Sequence, residues 1–303
     1  MVTNLQKLMD QVMPGYKKYY TLLCKFTFKC DSYCDICSES CSMDETDFLS
    51  LELIGKALEE IKDLDIVFTL QGGEVMLYPE HCKNIGDLWR QTKGKYSKKL
   101  DMVTNGFWGK DPKLIDYVLE EIKPTLIAIT VDKWHQKSVP ISSINNIIKV
   151  LENHPITDIC IFQIYSKNFP LVESKNYKEL GLEFSSNVEP FIYGIPFHRT
   201  GKALSLEGID ESPDLRECNN EELECQNIGI GLYPNGIIGG ECTLARNGCR
   251  FGHIKTHNLK DIFKKLETIK RPSIKYTGLM DNFCSLCREM KIKPLEELMN
   301  GKN

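Results

Sequence analysis

The chain has no apolar run near the roughly eighteen residues that a membrane helix requires. Its first twenty residues, MVTNLQKLMDQVMPGYKKYY, contain no apolar stretch of the kind a secretion signal needs. Together these absences exclude a membrane-spanning or secreted protein and point to the cytoplasm. Charge of one sign is not in excess either. Lys and Arg number 38 against 42 Asp and Glu, for a formal net charge of −4. That balance offers no basic surface for nucleic acid or for anionic lipid. There is no internal repeat and no low-complexity tract, so a solenoid reading falls away as well.

What remains is an ordinary globular composition over 303 residues, enough to bury a large core. Through the first two-thirds, β-rich runs alternate with helical patterns. The strands expected are Tyr19 to Phe26, Asp65 to Leu70, Lys99 to Thr104, Thr125 to Val131, Asp158 to Tyr165 and a run near Val188 to Gly194. Helical periodicity is clearest from Glu45 to Lys62, where Ser42 followed by Glu45 reads as a capping box. Further helices are expected at Glu80 to Gln91, Pro112 to Glu121, Ile141 to Glu152 and around Ser174 to Leu180.

Strands separated regularly by helices imply a parallel α/β sheet, and its chemistry belongs in the loops after the strands' C-terminal ends. After about Leu206 the sequence becomes polar and turn-rich. IGIGLYPNGIIGG (Ile228 to Gly240) then reads as a hairpin turning at Pro234-Asn235-Gly236, and NLKDIFKKLETIK as one more helix. The expected boundary separates a first domain, 1–206, from a second, 207–303.

Cysteine is present in excess: thirteen residues, an odd number, in a long chain without a secretion signal. A disulfide framework is the weaker reading, and tight clusters point to metal. Cys30, Cys34 and Cys37 form C-x3-C-x2-C in the loop directly after the first strand. Structural zinc asks for four ligands, usually in two separated pairs. Three thiolates on one loop suit three irons of a [4Fe–4S] cube, with the fourth iron left open.

This triplet resembles the signature of the radical S-adenosylmethionine enzymes, and other marks follow in order at successive strand ends. Gly72-Gly73-Glu74 resembles the family's GGE motif, where glycine lets backbone approach the cofactor's amino group. TNG (Thr104 to Gly106) contributes Asn105, ITVD contributes Thr130 and Asp132 toward the ribose, and Arg199 stands where relatives pair a cation with the cofactor carboxylate. The position before the third cysteine is often aromatic in the family and here is Ile36. The resemblance implies a partial (β/α)6 barrel that binds S-adenosylmethionine on an open iron. It further implies reductive cleavage by an external one-electron donor of the flavodoxin or ferredoxin type.

Cys225, Cys242, Cys284 and Cys287 are similar in order and spacing to the twitch domain, the shortened SPASM extension, and imply a second, auxiliary [4Fe–4S] cluster. A structural zinc is the other reading of those four. Among the rest, Cys24 and Cys160 fall in strands and Cys82 at a helix start, all expected as core. Cys41 is expected to pack beside the first cluster without ligating it. Cys218 and Cys249 flank the auxiliary ligands and are candidate hydrogen-atom donors.

TNGFWG (Thr104 to Gly109) and DKWH (Asp132 to His135) resemble elements of peptide epimerases, which invert residues of ribosomally made peptides. In that group the donor cysteine directly follows the second auxiliary ligand, and here the position is Thr243. Related enzymes crosslink peptides, for example through thioethers. Only about twenty residues precede the first strand, which leaves no room there for a peptide-recognition domain. The alternatives are dehydrogenation of a small molecule such as an aminocyclitol, with His135 or His198 as base, and an iron–sulfur electron carrier without catalysis.

Overall fold

The computed structural model describes residues 19–92, 99–154, 157–166, 168–185, 190–196, 202, 227–240 and 250–268. Six strands lie in parallel and in sequence order: β1 (Tyr19–Lys25), β2 (Ile66–Gln71), β3 (Leu100–Thr104), β4 (Leu126–Thr130), β5 (Asp158–Tyr165) and β6 (Phe191–Pro196). Each of the first four crossovers carries a helix: α1 (Leu51–Glu60), α2 (Pro79–Thr92), α3 (Pro112–Tyr117) and α4 (Ile141–Leu151). This is the expected mixed α/β partial barrel, because parallel neighbours need long crossovers and helices are the compact way to make them.

Side-chain alternation sorts the strands into two faces. Leu22 and Cys24 on β1, with Phe26 just beyond it, Phe68 and Leu70 on β2, and Ile127 and Ile129 on β4 all join the core beneath the helices. Phe68 stacks on Trp89 of α2 with ring centroids 4.8 Å apart. Cys24, Cys82 and Cys160 are buried in strand or helix, as core cysteines. Leu23 and Lys25 point the other way, toward the lumen.

The hairpin at 227–240 is present, as β7 (Asn227–Leu232) and β8 (Ile237–Gly240), turning through Gly236 at φ +81°. β7 runs parallel to β1 and in register with it, Leu22 opposite Ile230. The hairpin and a further strand, β9 (Arg250–His253), therefore extend the same sheet beyond β1. A register shift between Ile238 and Gly239 breaks the β8–β9 ladder, as a bulge does. α5 (Leu259–Thr268) follows, its Leu259 N–H held by Glu60 at the end of α1.

One helix start differs from expectation. α1 begins at Leu51 and its cap is Ser50, whose hydroxyl accepts from Leu53 N–H. Ser42 lies well before that start, its hydroxyl accepting from Asp44 N–H at 3.3 Å. Residues before Ser50 pair instead with the segment after β1. Leu49 N–H donates to Phe26 O at 2.9 Å, Ser42 N–H to Phe28 O at 3.3 Å, and Cys30 N–H to Ser42 O at 3.1 Å. Tertiary pairing takes the backbone that the capping-box signal assigned to a helix, and it closes the cysteine loop at its base. Phe48, inside the span expected as helix, lies before the helix start and is exposed. α3 is likewise shorter than expected, passing at Val118–Ile122 into a π turn that ends at Lys123 with φ +55°.

Candidate functional site

The loop from Cys30 to Cys41 sits at the C-terminal end of β1, and three other loops at the same end of the barrel reach toward it. The first follows β2. Gly73 N–H donates to Thr27 O and Glu74 N–H to Lys29 O, both at 2.8 Å. That approach is close enough to require glycine: a Cβ on Gly73 would lie 2.0 Å from Lys29 O. With the N–H groups engaged, the carbonyls are the backbone groups left to meet an amino group.

Glu74 turns inward and is buried. Its carboxylate accepts from Met76 N–H, Thr104 Oγ1 and Asn105 N–H at 2.7–2.9 Å, tying the β2 loop to the end of β3. Burial pushes its carboxyl up to about 7 against the pull of those donors. Thr104 also accepts from Trp108 Nε1 at 2.8 Å, so the TNGFW stretch is one hydrogen-bonded unit.

The β3 loop completes the connection. Asn105 Nδ2 donates to Asp31 Oδ1 at 2.9 Å and to Ser32 Oγ at 2.7 Å, inside the cysteine loop. The β4 loop approaches from the other side. Ser138 Oγ accepts from Tyr33 N–H at 3.2 Å, and Lys137 pairs with Asp35 at 2.6 Å. Asp132, buried, accepts from Trp134 N–H and His135 N–H and holds His135 Nδ1 at 2.8 Å. Burial opposes charge on His135. Asp132 overrides it by charge and hydrogen bond, and Cys34 adds to the effect, so the imidazole is pushed up to about 10. Thr130 ends β4, half-buried, paired with Phe162 of β5.

The structure thus brings together Cys30, Cys34, Cys37, Gly72, Gly73, Glu74, Asn105 and Asp132, with Thr130 at the end of β4 two residues before Asp132. Arg199, His198, Cys218, Cys225, Cys242, Cys249, Cys284 and Cys287 lie outside the described residues. Sequence reading passes over Asp31, Ser32 and Ser138, which latch the loops, and Lys25 and Glu39, which form a buried ion pair. Polar residues in loops carry no periodic signal. A lysine sharing the face of Leu23 in an apolar strand is a visible one.

The donor set fits an iron–sulfur cube. The three cysteines are free thiols, and each of two sulfurs receives a backbone N–H: Cys30 from Ser32 at 3.4 Å, Cys37 from Cys41 at 3.3 Å. Such N–H···S bonds are how proteins stabilise cluster thiolates. The neighbouring Cys41 thiol, by hydrogen bond, brings Cys37 down to about 6 despite its burial. Burial pushes Cys30 up to about 12, and a bound metal's charge is what would bring such a thiol down. Among the described residues no three His, Cys, Asp or Glu side chains are arranged to hold a single metal ion. A cube places each thiolate on its own iron.

These features define a parallel barrel with a three-cysteine loop at the C-terminal rim of its strands, and solved structures share the fold. The chain resembles native anSMEcpe with bound AdoMet at a TM-score of 0.56 and 15% identity, over 93% of this chain and 98% of that one. It resembles Streptococcus suis SuiB bound to precursor peptide SuiA at 0.52 and 12%, over 86% and 68%. It resembles SuiB bound to S-adenosylmethionine at 0.50 and 12%, over 86% and 69%. These are radical S-adenosylmethionine enzymes, and the fold here is theirs. No protein-family model and no curated protein matches the chain.

Proposed function

We propose that the chain is a radical S-adenosylmethionine enzyme that modifies a ribosomally made peptide, by epimerisation, a thioether or another crosslink. The observation that supports this most is the joining of four strand-end loops. The cysteine loop is bonded to the GGE loop through Gly73 and Glu74, to the TNG loop through Asn105, and to the DKWH loop through Ser138. An electron carrier needs thiolates alone; it has no use for a rim built around them. A peptide substrate is favoured because solved structures sharing this fold include anSMEcpe with bound AdoMet and a Cp18Cys peptide, as well as SuiB with its precursor peptide.

In this reading Cys30, Cys34 and Cys37 hold three irons of the cube. S-adenosylmethionine held beside that cluster would, on reduction, supply the chemistry that removes a hydrogen atom from the substrate. The carbonyls at Gly72 and Gly73 accept from the cofactor's amino group. Asn105 keeps the cysteine loop in register with β3, and Thr130 and Asp132 form the wall at the end of β4. Arg199 pairs with the cofactor carboxylate. Cys225, Cys242, Cys284 and Cys287 hold the auxiliary cluster, and Cys218 or Cys249 returns a hydrogen atom where the product requires one.

The test is anaerobic reconstitution followed by incubation with dithionite, S-adenosylmethionine and short peptides encoded beside the gene. Formation of 5′-deoxyadenosine with a change in peptide mass or stereochemistry is the expected result. One deuterium gained from D2O at constant composition identifies epimerisation, and a loss of two daltons identifies a crosslink or an oxidation. Cleavage coupled only to a small alcohol or sugar would replace the peptide assignment by dehydrogenation.

A further inference from the structure

We propose that the buried ion pair between Lys25 and Glu39 positions the three-cysteine loop on the barrel and sets the reduction potential of the cluster that loop holds. This rests on the radical S-adenosylmethionine reading. Lys25 ends β1 on the lumen face, opposite Cys24 and Phe26, and is 2% exposed. Its Nζ bonds Glu39 Oε1 and lies 5.0 Å from the centre of the Tyr233 ring. Glu39 stands midway between Cys37 and Cys41 and is 6% exposed. Tyr233 belongs with Phe28 and Cys41 to one buried cluster, against which Cys30 and Cys37 pack. Lys25 therefore reaches the cysteine loop from the end of β1, and Glu39 meets it from within that loop.

Stability does not account for this arrangement. Burying two charges costs several kcal/mol each before their attraction offsets it. The offset is incomplete here, since Glu39 Oε2 is buried without a hydrogen-bond partner among the described residues. What the pair does supply is a fixed point. It ties the end of β1 to Glu39, near the C-terminal end of a loop whose two ends are already zipped by the Ser42 pairings. It also places a charge of each sign on or against the segment that carries the cysteines, and a cluster's potential depends on net charge, hydrogen bonds to sulfur and exposure. The two halves act with opposite sign. Lys25 favours the reduced, more negative cluster, and Glu39 disfavours it.

That opposition is the test. The full chain is reconstituted anaerobically, and the cluster whose EPR signal changes on adding S-adenosylmethionine is titrated against potential. Lys25→Met leaves Glu39 uncompensated and is expected to shift the midpoint to lower potential. Glu39→Gln leaves Lys25 uncompensated and is expected to shift it higher. Lys25→Arg is expected to stay near wild type, and the double variant Lys25→Met/Glu39→Gln to fall between the single ones. Shifts of the same sign, or none at equal iron content, would overturn the proposal. If neither single variant loads iron while the double variant does, the pair is a mechanical clamp and the electrostatic claim is wrong. A wild-type chain that loads no cluster contradicts the proposed function, a separate failure read from the iron count.

Discussion

Asn105 Nδ2 donates to Ser32 Oγ at 2.7 Å, joining two loops separated by 73 residues of sequence. The same amide reaches Asp31, and the Asn105 backbone N–H is held by Glu74. One residue thus transmits the position of β3 and of the GGE loop to the cysteines. Asn105→Ala removes the bonds to Asp31 and Ser32 and the one its Oδ1 accepts from Phe107 N–H, leaving the buried Ser32 hydroxyl without that donor. The expected loss is about 1–3 kcal/mol of stability, with less iron retained per chain, measured by urea unfolding and iron assay. Unchanged stability and full iron would show that the latch is dispensable.

Glu74 gives the fold a pH dependence of known sign. Its folded carboxyl is raised to about 7, above its ordinary 4.5. Between those values the folded chain binds more protons than the unfolded one, so this group's contribution to stability falls as pH rises from about 4.5 to 7. The limiting slope, about 1.4 kcal/mol for each step of one in pH, is measurable by urea titration at pH 5 and pH 7.5. Glu74→Gln, which cannot titrate, should lose that component of the slope. An identical pH profile in both proteins would contradict the assignment.

Ser50 and Ser42 separate the observed helix start from the one suggested by sequence. Ser50→Ala should destabilise by about 1 kcal/mol, the ordinary value of an N-cap. Ser42→Ala should cost much less, because the pairings of Ser42 with the cysteine segment run through its backbone. Thermal or urea unfolding of the two variants decides it, and the reverse order would restore the longer helix.

Gly73→Ala places a methyl group where Lys29 O stands. Because backbone must move to accommodate it, the variant should lose cluster binding while the barrel far from the rim stays folded. Iron assay and far-UV circular dichroism read the two effects apart. Full iron retention would mean the β2 loop is free of the cysteine segment.

The second set of cysteines makes a stoichiometric prediction. Reconstituted protein should contain about eight irons, from two four-iron clusters. Replacing Cys225, Cys242, Cys284 and Cys287 by Ala should leave about four. A wild-type count near four, or zinc retained at the second set, would remove the auxiliary cluster.

Much of the fold is legible in the residues alone, for identifiable reasons. DICIFQIY is bounded by polar residues and β-branched within, and β5 spans Asp158–Tyr165 as expected. The cysteine triplet and the GG pair stand out because spacing and residue type alone mark them. The sequence misleads where long-range pairing competes with local signals, as at Ser42, whose backbone belongs to the cysteine loop. It is silent on the latches: Asp31, Ser32 and Ser138 are ordinary polar loop residues until β3 and β4 bring their partners alongside. The parallel pairing of β7 with β1 is hidden for the same reason, since 201 residues separate Lys25 at the end of β1 from Asn227 at the start of β7.

The most direct test of the central claim is reductive cleavage of S-adenosylmethionine by anaerobically reconstituted protein, measured as 5′-deoxyadenosine, beside the variant with Cys30, Cys34 and Cys37 replaced by Ala. The account predicts cleavage by the wild type and none by the triple variant. Cleavage that persists in the variant, or its absence from a wild-type chain loaded with iron, would contradict it.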